Sequence, residues 1–133
     1  MSKKGIKISS RKAKGRNLQK YIATKISELL GIPWGKDELI RSREMGQSGT
    51  DIVLIGEAGK RFPYSIECKN QEKWDLAAYV EQAKSNQKKG TDWLLFIKRN
   101  REKPIVVMDV EVLFNLFKQI EESKYVGKEE NRN

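Results

Sequence analysis

Three residues in the middle of this chain have types and a spacing suited to phosphate chemistry. Asp51 stands at the head of an apolar run, Ile52-Val53-Leu54-Ile55, and Glu67 and Lys69 lie near the end of a second run, Phe62 to Lys69. Both runs are rich in Ile, Val, Phe and Tyr, and the short Glu57-Ala58-Gly59-Lys60 stretch joins them, so together they read as a β-hairpin. Alternation along a strand puts Phe62, Tyr64, Ile66 and Cys68 on one face and Ser65, Glu67 and Lys69 on the other. If the hairpin folds about Gly59, Asp51 lies opposite Glu67, and directly opposed residues share a face. An Asp, a Glu and a Lys then converge beside an apolar layer. Mg²⁺ takes oxygen ligands and is typically held by one or two carboxylates, waters and substrate phosphate. Asp51 and Glu67 suit that role, with the backbone carbonyl of Cys68 between them as a further oxygen. Lys69 projects to the same side and can orient the attacking water or stabilise charge on the phosphate. The alternative is structural: a strand-edge salt bridge from Glu67 to Lys69 or Lys60.

Composition narrows the chemistry. The chain contains no histidine and one cysteine, which removes Ser-His-Asp and Cys-His catalysis, His-ligated zinc, multi-cysteine zinc sites and internal disulfides. Hydrolysis here has to rest on carboxylates, lysine and a hard cation. The net charge is +9, and seven of the basic residues (Lys3, Lys4, Lys7, Arg11, Lys12, Lys14, Arg16) fall within residues 1–16, which hold no acid. The rest of the chain carries a net charge of only +2. A basic arm on a nearly balanced domain points to a polyanion such as nucleic acid, or else to a solubilising tail. No apolar run approaches a membrane span and no signal-peptide apolar region opens the chain, so a cytoplasmic location is expected.

The elements that must position these residues follow from periodicity. At 133 residues the chain is expected to form one domain. Residues 1–10 read as a disordered basic arm, 11–122 as a single domain, and 123–133 as a frayed polar tail. Leu18, Ile22, Ile26 and Leu29/Leu30 predict a helix over 11–30, stopped by Gly31 and Pro33. A short strand is placed within 38–43. Asp75 caps a helix over 76–88 that turns Leu76, Tyr79, Val80 and Ala83 inward and ends at Gly90. Trp93 to Ile97 reads as a buried central strand, Ile105 to Met108 as another. A last helix over 110–120 carries Val112, Leu113, Leu116, Phe117 and Ile120 on one face. The expected class is α/β, a central mixed sheet flanked by helices in the order α-β-β-β-α-β-β-α.

Asp51, fifteen intervening residues and then Glu67-Cys68-Lys69, preceded by a Lys14-Gly15 helix start, resembles the PD-(D/E)xK nuclease superfamily, and within it the archaeal-type Holliday junction resolvases and their phage-encoded relatives. The resemblance spans about residues 12–110. It implies a restriction-endonuclease-like core and a Mg²⁺-dependent endonuclease, with Mn²⁺ able to substitute, that works as a homodimer on four-way junctions and other branched DNA. By position it assigns Asp51 and Glu67 to the metal, Lys69 to catalysis, and Arg43 and Ser48 to the loop near the scissile phosphate. Thr50 stands where the family's motif often has proline. Gln19 stands where such resolvases carry a metal-site glutamate; an amide oxygen binds Mg²⁺ more weakly than a carboxylate, and Glu44 or Glu38 could substitute. Gln82 falls where the superfamily often places a polar residue near the catalytic centre, or else on a solvated helix face. DNA contacts are expected from Lys14, Arg16, Arg41, Arg43, Ser48, Lys88 and Lys89, and from a basic turn containing Lys98, Arg99 and Arg101. No sequence-reading helix is evident, which favours backbone and shape readout. Two rival readings remain: a nuclease of this fold acting on other branched or duplex DNA, and a catalytically weak DNA-binding module.

Overall fold

A computed structural model of the chain describes the backbone of residues 8–44 and 46–132 and the side chains of residues 10–44 and 46–126. Its elements are α1 (Ile8–Leu30), β1 (Ile40–Ser42), β2 (Ile52–Leu54), α2 (Glu57–Arg61), β3 (Tyr64–Asn70), α3 (Leu76–Ser85), β4 (Asp92–Lys98), β5 (Ile105–Val107) and α4 (Val110–Arg132). The strands form one five-stranded sheet in chain order. Only β3 and β4 run parallel, and a parallel pair needs a crossover, which α3 supplies. The expected α/β architecture with a mixed sheet flanked by helices is present. Among the described residues no helix is long and apolar enough to cross a membrane.

Strand alternation divides the core between the two faces of the sheet. On one face Ile52, Ile66, Cys68 and Leu94 pack against Leu18, Ile22, Ala23 and Ile26 of α1. On the other, Trp93, Leu95 and Ile97 pack against Tyr79 and Ala83 of α3. The predicted faces of β3 therefore hold: Ile66 and Cys68 lie under α1, while Ser65 and Glu67 lie on the α3 side, all buried. Glu67 is only 1% exposed, an uncommon place for a carboxylate.

Several expected boundaries move. The link between β2 and β3 is not a loop pivoting on Gly59 but the short helix α2, which adds an element to the predicted order. Ala58 is fully buried there, Phe62 N–H donates to Ala58 C=O, and the Arg61 guanidinium ties α2 to the Leu30 carbonyl at the end of α1. Gly59 serves close approach, since a Cβ on it would stand 3.0 Å from the Leu54 carbonyl oxygen. In consequence β3 begins at Tyr64, not Phe62. The first helix starts at Ile8, so residues 8–10 are helical and only residues 1–7 of the expected disordered arm lie outside the described residues. The third helix ends at Ser85 rather than near Lys88, because the Lys88 N–H is claimed by Ser65 Oγ at 2.9 Å and the chain turns there. The last helix does not stop at 120, and the expected frayed tail is helical as far as Arg132. Residues 118–132 are rich in Glu and Lys, good helix formers that need no burial to continue a helix. The inward side of α4 is also narrower than its apolar spacing suggested: Val112 is buried, while Leu113, Phe117 and Ile120 are exposed. Leu76, at the start of α3, is exposed as well.

Candidate active site

Register brings the two carboxylates together. Ile52 pairs with Ile66 across β2 and β3, so Asp51, one residue earlier, falls opposite Glu67, one residue later. The Asp51 peptide N–H donates to the Ile66 carbonyl at 2.8 Å, and the Cys68 N–H donates to Asp51 Oδ2 at 2.7 Å. The Cys68 peptide thus meets Asp51 through its N–H. Arg43, just past β1, clamps the segment that carries Asp51: its peptide N–H donates to the Asp51 carbonyl at 2.9 Å, and its Nε to the Thr50 carbonyl at 2.6 Å. The buried Thr50 hydroxyl turns inward to the Ile52 carbonyl at 3.1 Å. Gly49, with φ of 115°, leaves the room this clamp needs, since a Cβ there would lie 2.8 Å from the Arg43 guanidinium carbon.

Glu67 is held from α3. The Asn86 side-chain amide, at the C-terminus of α3, donates to Glu67 Oε1 at 2.8 Å. Glu67 Oε2 is buried and has no hydrogen-bond partner. Neither Lys69 nor Lys60 forms an ion pair with it, which disposes of the strand-edge salt bridge. The Lys69 ammonium stands 5.6 Å from the centre of the Tyr79 ring, and the Tyr79 hydroxyl in turn donates to Gln71 Oε1.

Electrostatics follow from this packing. Burial, and then the nearby Asp51 carboxylate, push the Glu67 pKa up to about 7, against the pull of the Asn86 hydrogen bond and Lys69. Burial also raises Asp51, opposed by the Cys68 N–H and by Lys69. Two carboxylates that resist ionisation, one with an orphaned buried oxygen, form a site that a hard divalent cation would satisfy. Among the described residues no third Asp, Glu, His or Cys joins them to make a metal cluster.

The remaining predicted residues divide into those the fold gathers and those it does not. Lys14, Cys68, Lys69 and Asn70 line a common cleft of about 720 Å³. Arg16, Gln19 and Arg43 line a neighbouring one of about 370 Å³, together with Glu44. Gln19 lines the cleft that Arg43 and Glu44 also line. Lys98 and Arg99 sit at the end of β4 that pairs with Asn70, and the Arg99 guanidinium stacks on Trp74 at 4.1 Å. Arg101, exposed with φ of 63°, caps the tip of the same turn. Arg41 is half-buried and donates to the Glu38 carbonyl, and Ser48 is exposed in the loop before Asp51. Lys88 is tied to Ser65, at the far end of β3 from Lys69. Gln82 is exposed on α3, and the side chain of this segment that bonds Glu67 is Asn86, one turn later. The signal available in the sequence was the four-residue step from Gln82 to Asn86, but choosing between them needed the true end of α3.

Asn86→Ala is expected to leave both Glu67 oxygens without a partner. That removes a bond to the ionised form, so the Glu67 pKa rises further, and any pH–rate profile shifts to higher pH. A stability loss of about 1–2 kcal/mol in urea denaturation should accompany it.

A family model described as phage putative PDDEXK endonuclease matches residues 10–132. No curated protein and no solved structure gives a significant match. The match takes in every element of the fold, the Asp51–Glu67 pair and Lys69, and the chain belongs to this PDDEXK endonuclease family.

Proposed function

We propose that this protein is a Mg²⁺-dependent, structure-selective DNA endonuclease that resolves four-way junctions as a homodimer, acting in the host cytoplasm. The observation that carries the catalytic part is the buried, unpartnered Glu67 Oε2 on the strand register that faces Asp51. In this reading Asp51 and Glu67 hold the metal, with the Cys68 carbonyl as a third oxygen on the same side of β3. The chemistry such an ion supplies when bound is acidification of its water and neutralisation of charge on the phosphate. Lys69, steadied over the Tyr79 ring, holds a proton and a positive charge where the phosphate gains negative charge. Arg43 fixes the Asp51 peptide, and its charge favours the ionised Asp51 carboxylate. Lys14, Arg16, Lys98, Arg99 and Arg101 supply backbone contacts on either side. Mn²⁺ should substitute, since the donors are oxygens.

Selectivity for junctions and the dimer rest on the resemblance and on a second observation: α4 exposes Val110, Leu113, Phe114, Phe117 and Ile120, an apolar stripe available to a second copy. A catalytically weak binding module is the competing reading, and the amide at Gln19, where the resemblance leads one to expect a metal-site glutamate, favours it. The test is a synthetic four-way junction and a linear duplex of the same sequence, each incubated with Mg²⁺ or Mn²⁺. Paired symmetric nicks confined to the junction are expected. Equal cutting of the duplex would remove junction selectivity, and tight binding without cutting would favour the binding module.

A further inference from the structure

Two basic clefts flank the N-terminal half of α1. Lys12, Arg16, Lys20 and Arg43 line the smaller, against one acid, Glu44. Arg11, Lys14, Lys69 and Lys73 line the larger, against Glu72. One residue belongs to both linings, Gly15. Asp51 lies between their inner walls, because Arg43 of the smaller cleft bonds to the Asp51 carbonyl and Cys68 of the larger bonds to its carboxylate. Asn70 fastens α1 over this region, its side-chain amide donating to the Lys14 carbonyl at 3.0 Å, and Asn70 Oδ1 is buried without a partner.

Glycine inside a helix costs stability relative to alanine, so its use there calls for a reason. The usual internal reasons fail at Gly15. It sits well within α1, it is not among the glycines with positive φ, and a Cβ built on it meets nothing within 4 Å. The chain's own packing does not require the side chain to be missing. A Cβ at Gly15 would stand in open space, between two clefts whose linings hold eight cations.

We propose that the two clefts are halves of one track for the sugar–phosphate backbone of the cut strand, which crosses α1 at Gly15 and there comes close to the helix because no side chain intervenes. This rests on the nuclease reading and adds to it the path of the strand. A continuous polyanion satisfies both clefts at once and passes Asp51 between them. Position along this track sets which phosphodiester reaches Glu67 and Lys69, so Gly15 is a positioning residue.

Gly15→Ala and Gly15→Leu test the idea, read by fluorescence anisotropy with a labelled junction in Ca²⁺, by nicking in Mg²⁺, and by thermal melting. Alanine should raise Tm by about 2–4 °C, because it is the better helix former, yet weaken binding and slow nicking about tenfold. Leucine should fold as well and lose about a hundredfold in nicking, as expected for a misplaced reactant. Mn²⁺ binding, followed by calorimetry, should be unchanged in both. Parent-like binding and nicking by the leucine variant would overturn the track. The anisotropy readout keeps the two readings apart: a parent that binds but never cuts sinks the nuclease, while weaker binding by the leucine variant still supports the track.

Discussion

Glu67→Gln should abolish cleavage, by about a thousandfold or more, and at the same time make the metal-free protein more stable at pH 8. The substitution preserves shape and keeps an oxygen for the Asn86 amide, so the packing around position 67 survives. What it removes is a buried charge. The native pKa of Glu67, about 7, lies above the ordinary 4.5, so the folded state binds this proton more tightly than the unfolded state. Stability therefore falls as pH rises from 4.5 to 7, and the loss is complete above 7. A neutral amide at this position carries no such penalty. The gain should be on the order of 2 kcal/mol at pH 8 and clearly smaller at pH 5. Differential scanning fluorimetry in EDTA at the two pH values, beside a nicking assay in Mg²⁺, reads both effects. Retained cutting would dismiss Glu67 from the site. An equal gain at pH 5 and pH 8 would mean that the benefit comes from packing and that Glu67 is not strained by its charge. A residue that weakens the fold while sitting at its centre is the pattern expected where function rather than stability selected it.

The site was legible in the sequence to the extent that strand geometry determines it. A period of two fixes which side chains share a face, and folding the two runs about Gly59 sets Asp51 opposite Glu67, a pairing that the strand register bears out. The link between the runs did not follow. Glu57 to Lys60 has the composition of a turn, and what makes it helical is a fully buried Ala58 and an arginine reaching the end of α1, both long-range contacts. Asn86 is hidden behind Gln82 for a related reason. Helix periodicity carries α3 on toward Gly90, but the Ser65 hydroxyl takes the Lys88 N–H and stops it early, which puts Asn86 rather than Gln82 against Glu67. Gln19 shows a different limit. Its position in α1 is as expected, yet a helix face can look into either of two clefts, and sequence spacing does not say which. The family match secures the endonuclease superfamily and leaves target choice to residues such as these.

The sequence leaves two uses open for the apolar face of α4, and the fold chooses between them. Spacing groups Val112, Leu113, Leu116, Phe117 and Ile120 on one side, which reads either as core or, through Leu113, Leu116 and Phe117, as a face for a second copy. In the fold Val112 alone of these is buried, whereas Phe114 and Phe117 are 62% and 54% exposed, with ring centres 6.5 Å apart. Single exposed apolar residues are ordinary, but a contiguous stripe on a 23-residue helix marks a contact surface. In a two-fold dimer the stripe would meet itself, and a stable contact of that kind covers about 800 Å² per partner. The double substitution Phe114→Glu, Phe117→Glu should then yield a monomer by light scattering, since four carboxylates would face one another across the axis. It should leave the fold intact, because exposed positions away from caps and networks change stability by only about 0.5 kcal/mol. Its products on a four-way junction should change from paired cuts to single, unlinked nicks, with the Asp51–Glu67 chemistry itself preserved. A variant that stays dimeric and still cuts in pairs would place the interface elsewhere. A parent protein that is monomeric and yet cuts in pairs would remove the need for a second copy altogether.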